Sequence, residues 1–321
     1  MKKKLVTWEL ISQSLQQGIP VMLLYVLQSA GSSPGRQGFF MAVNAVGNIA
    51  GSIGGGIMEF KFVEMAREQL LQEATIAAVR RQVHDKSSPA DQSGMICSGE
   101  QTILLYRVRS HDAQLIQQII TCLADSRNGA LQLSPAGLQF ITAPGHTGFS
   151  MQSVDDWVYT ERLGYRDHLY LVGGGHCSLA FSRIMATLDF YIHVYDNRPQ
   201  LNTFEGNEYA HEKVVVEDYC QLKDIIPEGH HHYVVVMTMG YRSDDIVIRA
   251  LLHKQFRYLG MLGSQAKVTQ LFERYKAEGV SPQLLQRIHA PVGIPINSQT
   301  PEEIAVSIAA EIIRERNTPS C

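Results

Sequence analysis

The chain has 321 residues, 45% apolar and 18% charged, with a formal net charge of −3 and a pI near 6.5. That is enough chain for two domains with cores of their own. The near-neutral charge excludes a general nucleic-acid or membrane-surface binder. No apolar run approaches the roughly 18 residues that span a bilayer. The five cysteines, Cys97, Cys122, Cys177, Cys220 and Cys321, are scattered and form no CxxC pair. Neither a disulfide framework nor a structural zinc site is therefore expected, and the chain reads as a reduced, cytoplasmic protein.

In chain order, the opening MKKKLVTWELISQSLQQG reads as an amphipathic helix at about 7–18 rather than a signal core. VMLLYVLQSAG (21–31) reads as a strand running into a Gly-Ser-Ser-Pro-Gly turn. GFFMAVNA (38–45) and NIAGSIG (48–54) read as two strands joined by a tight turn. A helix from about Met58 to Ala74 places Phe62, Met65, Ala66 and Leu70 near one face. IAAVRRQVH and EQTILLYRVR read as strands around a polar loop, and AQLIQQIITCLADS as a helix. LQLSPAGLQFITA and WVYTERL read as closing antiparallel strands, and the mixed segment 143–168 holds the expected domain boundary. The expected division is an N-terminal mixed α/β domain over 1–160 and a C-terminal domain over 161–321. From His168 onward, five short apolar runs (LYLVGG, YIHVYD, EKVVVE, YVVVMT, YLGMLG) alternate with helical stretches at about 176–189, 242–255 and 264–278. That alternation predicts a Rossmann-like parallel sheet with crossover helices. PEEIAVSIAAEIIRER closes the chain as a helix, with Thr300 as N-cap, Pro301 at its first position and Glu303 completing a capping box.

Two glycine-rich junctions carry the chemistry. GNIAGSIGGGIME (47–59) runs straight into a helix, and a helix start behind flexible glycines offers free N–H groups to an anion. The same residues also suit a tight strand-to-helix turn. In LYLVGGGHCSLAF (169–181), Gly173, Gly175 and Ser178 occupy the three special positions of a G-x-G-x-x-G fingerprint, with His176 opening the helix. Asp196 ends the next strand 21 residues after Gly175, where a dinucleotide site places its ribose-binding acid. An NAD(P)-dependent oxidoreductase using this Rossmann loop is the alternative reading, while the same geometry serves other nucleotides or nothing at all. Arg198 reads either as a phosphate contact or as part of a surface turn. Cys122 falls in an apolar helical stripe, and Cys177 packs behind its loop, where a lowered pKa is the alternative. His230, His231 and His232 point to alternate faces of one strand and do not converge on a metal. Glu59 and Glu64 read as first-turn or helix-surface charges. No Walker lysine, HExxH or Ser/His/Asp arrangement is evident.

The stretches GSSPGRQGFFMAV, GSIGGGIMEF, SGMICSGEQTILLY, LVGGGHCSLAFSRI, VYDNRPQ, YLGMLGSQAKV and IHAPVGIPINSQTPEEIAVSIAAEI resemble the xanthine dehydrogenase accessory proteins of the XdhC/CoxI type. The resemblance runs almost end to end. It implies an N-terminal accessory domain followed by a Rossmann domain, and no turnover of the chain's own. It also implies binding of molybdenum cofactor (molybdopterin), its sulfuration, and delivery to a xanthine dehydrogenase-type molybdoenzyme, with a cysteine desulfurase as further partner and a homodimeric assembly. On that implication Gly54, Gly55 and Gly56 would cradle the cofactor phosphate, while Ser32, Ser33 and Arg36 would add donors. The chain departs from the family pattern in three places. Ile57 stands where a GGGC loop carries cysteine, Cys97-Ser98-Gly99 stands for CGG, and Met239-Gly240-Tyr241-Arg242 replaces a histidine-bearing run. Any thiol chemistry thus falls on Cys97, which reads either as a soft ligand to the metal or as a small loop residue without chemistry.

Overall fold

The computed structural model describes residues 2–72, 77–83, 99–125, 129–142, 147–165 and 167–318. They form two compact units, Met1–Gly164 and Tyr165–Cys321.

In the first unit, α1 (Lys2–Gln16) precedes β1 (Val21–Gly31), the hairpin of β2 (Phe40–Asn44) and β3 (Ile49–Gly51), and α2 (Gly56–Leu71). β4 (Ala77–Val83) and β5 (Gly99–Arg107) complete an antiparallel sheet of order β3-β2-β1-β5-β4. Both faces of β1 are buried, which explains its unbroken apolar run. On one face Met22, Leu24, Val26, Ile103 and Leu105 meet the stripe Met58, Phe62, Val63, Ala66 and Leu70 of α2. On the other, Leu23, Tyr25, Leu104 and Tyr106 join Trp8 and Ile11 of α1, Ile116 and Ile119 of α3 (Ala113–Ala124), and a second sheet. That sheet is antiparallel, order β7-β6-β9-β8, from β6 (Gly129–Ser134), β7 (Gly137–Ile141), β8 (Gly148–Ser153) and β9 (Asp156–Leu163). LQLSPAGLQFITA supplies the antiparallel β6–β7 hairpin. WVYTERL is β9, a strand as expected, while β8, whose residues are half-buried or exposed, was not read as a strand; the two units divide after Gly164, within the segment 143–168. Cys122 is buried in this core, as its stripe predicts.

The second unit is a fully parallel six-stranded sheet. Its strands are β10 (Asp167–Val172), β11 (Phe190–Asp196), β12 (Glu212–Val215), β13 (Gly229–Val236), β14 (Phe256–Met261) and β15 (Ile288–His289). The spatial order β12-β11-β10-β13-β14-β15 reads 3-2-1-4-5-6 within the unit, the doubly wound Rossmann order. α4 (His176–Met185) and α10 (Pro301–Asn317) cover one face over Leu169, Leu171, Val194 and Val235. α7 (Tyr241–Leu251) and α8 (Gln265–Ala277), with the short α6 (Leu222–Ile225) and α9 (Pro282–Gln286), cover the other. α5 (Asn202–Glu205) follows β11. β15 and the short helices α5, α6 and α9 were not foreseen: two to five residues give no period to read. The Thr300–Glu303 capping box forms as expected, with Pro301 in the first turn.

Candidate functional site

In the first unit, the loop from β3 to α2 and the turn after β1 interlock. Gly54 has φ 132°, and a Cβ there would overlap the Gly35 backbone; a Cβ on Gly35 would in turn strike the Ile53 carbonyl. Only glycine permits this approach. The buried side chain of Gln101 staples the two loops, its Nε2 donating to Gly35 O at 2.9 Å and Ile53 O at 3.4 Å. Ser33, also buried, donates to Gly35 O at 3.0 Å, while exposed Arg36 reaches back to Gly31 O at 3.0 Å. Ser32 is exposed on the same turn. Ser32, Ser33, Arg36, Gly54, Gly55 and Gly56 thus gather on two touching loops. Cys97 lies outside the described residues, two positions before Gly99, which pairs with Gly31.

The polar groups of the loop converge on a carboxylate. Glu59 folds back from the first turn of α2, and its Oε2 accepts from Ser52 Oγ at 2.7 Å, Ile53 N at 2.8 Å and Gly55 N at 2.9 Å. Gly54 N is taken by Ser52 Oγ at 3.1 Å. Glu59 is therefore more than the first-turn charge expected: it is an anion held by the loop. Glu64 is the surface charge expected, paired with Arg67 at 2.8 Å.

In the second unit, Gly173–Gly175 sit at the carboxyl end of β10, the first strand of the sheet. Gly173 (φ 111°) lies against the end of β13, where a Cβ would strike the Met237 carbonyl. Gly174 faces Phe204, whereas a Cβ on Gly175 would meet nothing within 4 Å. Ser178, at the third fingerprint position, is buried, and its Oγ makes no hydrogen bond. His176 opens α4 exposed and lines a groove with Arg183, Tyr209 and Glu302. Cys177 is half-buried, and burial followed by the charge of Glu302 pushes its thiol up, not down. The lowered pKa considered for it does not occur.

Asp196 occupies the position the fingerprint predicts but does not stand free. It is fully buried and takes hydrogen bonds from Gly174 N at 2.7 Å and from the Arg198 backbone and guanidinium at 2.8 to 2.9 Å. Burial alone would raise its pKa; the Arg198 fork and the two backbone N–H groups outweigh it and hold the carboxyl below its usual range. In the first turn of α7, Asp244 is also fully buried, ion-paired with Lys267 of α8 and accepting from Thr238 N at 3.1 Å.

A polar ladder runs across the amino-terminal half of the same sheet. His193 Nδ1 lies 3.0 Å from Glu212 Oε2, and His193 Nε2 lies 3.1 Å from His168 Nδ1. Glu212 is kept ionised, since the Tyr191 hydroxyl and His193 hold its pKa down against the opposing effect of burial. An ionised carboxylate only accepts, so His193 donates through Nδ1 and receives the His168 proton at Nε2. Burial, then His193 and His232, push His168 down to about 4; burial lowers His193 as well. His232 packs edge-on to both His168 and Tyr170, so one of the three consecutive histidines joins this ladder, while His231 pairs with Asp167 at 3.3 Å. Among the described residues no group of three or more His, Cys, Asp or Glu is placed to hold a metal ion. No described helix is long and apolar enough to cross a membrane.

A mixed α/β unit carrying an anion-filled glycine loop, followed by a doubly wound unit with a second glycine loop at its switch point, defines a two-part protein of the Rossmann class. Profiles of the XdhC and CoxI family and of the XdhC Rossmann domain match residues 14–81 and 169–312 respectively, and the chain belongs to the XdhC family. It is 26% identical over 307 residues to the uncharacterized protein YqeB of Escherichia coli K12, covering 94% of this chain but only 44% of the relative. The chain therefore spans less than half the length of that relative. It is 24% identical over 320 residues to a probable xanthine dehydrogenase subunit from Bacillus subtilis 168, covering 92% of this chain and 93% of the relative. A crystal structure of a xanthine dehydrogenase from Bacillus halodurans has the same fold, with TM-score 0.71 at 23% identity over 97% of this chain and 96% of that one.

Proposed function

We propose that this protein serves the maturation of a xanthine dehydrogenase-type molybdoenzyme in the cytoplasm. In that role it holds molybdenum cofactor by its phosphate at the first glycine loop, assists its sulfuration and passes it on. Family membership and the name of the Bacillus subtilis relative support the client class. The observation that carries the phosphate assignment is the Glu59 carboxylate, an oxyanion already bound by Ser52 Oγ, Ile53 N and Gly55 N. A phosphate oxygen fits the same three donors, and the flexible Glu59 stem lets the carboxylate leave. Arg36 stands on the interlocked turn with one guanidinium nitrogen on a carbonyl, which leaves donors for a second phosphate oxygen. When bound, the cofactor supplies the client's redox metal and its added sulfur ligand; Cys97 is this chain's thiol for handling them, with a cysteine desulfurase as the sulfur source.

The test is a comparison of Gly55→Val and Cys97→Ala, purified from molybdenum-replete cells and assayed for bound pterin, for molybdenum and for activation of client apoenzyme. Gly55 has φ 77°, so a branched side chain there deforms the cradle, and pterin and activation should both be lost. Cys97→Ala should keep the pterin and lose molybdenum retention or activation. Unchanged activation by Cys97→Ala beside loss in Gly55→Val would make the protein a cradle without thiol chemistry. Full pterin retention by Gly55→Val would remove the phosphate site from this loop.

A further inference from the structure

In a Rossmann unit that binds a dinucleotide, the carboxylate ending the second strand is free to accept hydroxyls of the adenosine ribose. Asp196 has that position and not that freedom. Its Oδ1 accepts from Arg198 N at 2.9 Å and Arg198 Nε at 2.8 Å, and its Oδ2 from Gly174 N at 2.7 Å and Arg198 Nη2 at 2.8 Å. Four donors fill the roughly four acceptor sites of a carboxylate. Two of them belong to one guanidinium fork, the strongest and most directional partner available. The residue is 0% exposed, so a ribose diol would need both to displace the fork and to open the loop.

The arginine also closes the approach from the other side. Its remaining Nη1 lies 3.4 Å from Sδ of Met239, an exposed residue that follows β13. β11 and β13 flank β10 in the sheet, so this contact passes over the carboxyl end of β10, where Gly173–Gly175 lie. That is the switch point at which a Rossmann unit takes its ligand.

We propose that Asp196, Arg198 and Met239 form a lock that closes this crevice to the ribose of nicotinamide adenine dinucleotides, with Arg198 as the specificity-determining residue. The lock also excludes the 2′-phosphorylated form. The Arg198 charge is already neutralised by Asp196, and an incoming phosphate would meet that carboxylate beside it. On this proposal the NAD(P)-dependent oxidoreductase reading fails for this chain, although its fingerprint spacing is intact. The inference is independent of the cofactor-carrier reading, because it concerns the other unit and is read out by dinucleotide binding rather than client activation.

Calorimetric titration of the full chain with NAD+ and with NADP+ tests it. The wild-type protein should show no saturable binding of either. Arg198→Ala frees Asp196, so NAD+ affinity should rise by about tenfold or more over the wild-type bound, the worth of one charge-assisted hydrogen bond. NADP+ should not gain, since the released carboxylate repels its extra phosphate. The double variant Arg198→Ala with Asp196→Ala should lose the gain. A cooperative melt verifies that each variant is folded; if Arg198→Ala is not, Arg198→Lys, which keeps the charge but not the fork, should give a smaller gain of the same sign. Saturable NAD+ binding by the wild type that weakens in Asp196→Asn would overturn the lock. So would folded Arg198 variants that bind NAD+ no better than the wild type.

Discussion

Gly175, the N-cap of α4, and Ser178 in its first turn meet opposite surroundings. A Cβ on Gly175 would find open space, while the Ser178 hydroxyl is buried without a hydrogen bond. An unsatisfied buried hydroxyl costs on the order of 1 kcal/mol, so Ser178→Ala should raise the stability of the protein by about that much. Urea unfolding would show it as a higher midpoint at unchanged slope; a lower midpoint would mean that the hydroxyl has a partner in solution. At this scale the sequence revealed positions better than states. The spacing from Gly175 located Asp196, but its saturation by Arg198 depends on a turn folding back by two residues, which no periodicity encodes. Glu59 was legible as a first-turn acid. Its role as the anion of the loop follows from three successive positive-φ glycines that turn the N–H groups of Ile53 and Gly55 toward it. Gln101 gave no signal at all: one polar residue at the start of an apolar strand looks like a surface position until two glycines bring backbone against it.

Among the elements, those with a sustained period were legible and those without were not. The buried stripe of α2 and five of the six parallel strands follow from apolar spacing, and the last helix from its capping box. The ladder across β12, β11, β10 and β13 was not, because it joins residues on four separate strands. In register, His193 stands opposite Glu212 on one side and Tyr170 on the other, while His168 stands opposite His232. This arrangement makes the sheet acid-sensitive, and the sign follows from the shifts. His168 falls to about 4 and His193 is also lowered, both first by burial, so the fold keeps them neutral where an unfolded chain has begun to take up protons. Stability is therefore insensitive to these rings above the unfolded histidine value of about 6.5 and is lost as pH falls from there toward about 4. A proton added at His193 Nε2 would also face the His168 N–H and break that hydrogen bond. Urea midpoints at about pH 7 and about pH 5 should fall in the wild type and fall less in His168→Gln; parallel losses would assign the acid sensitivity elsewhere.

At the scale of the whole molecule, the second unit carries the means to fold alone. Its sheet is enclosed by two buried clusters, one centred on Val172, Val236, Ile248 and Leu271 and the other on Leu171, Phe181, Val235 and Ile308. Polar anchors tie the outer helices to that sheet. Glu311 on α10 accepts from Tyr258 at 2.6 Å and from Gly293 N at 2.7 Å, and these bonds with His289 hold its carboxyl at about 2 despite burial. A span of about 160 residues is also an ordinary size for an independent domain. Residues 165–321 expressed alone should thus unfold in a single cooperative transition and keep the far-ultraviolet circular dichroism of a parallel α/β sheet. A broad, non-cooperative melt would mean that the first unit supplies packing this sheet requires. The isolated unit also separates the two loops experimentally. It retains Gly173–Gly175 with Asp196 and lacks the Glu59-filled loop, so pterin binding should disappear with the first unit while indifference to NAD+ remains.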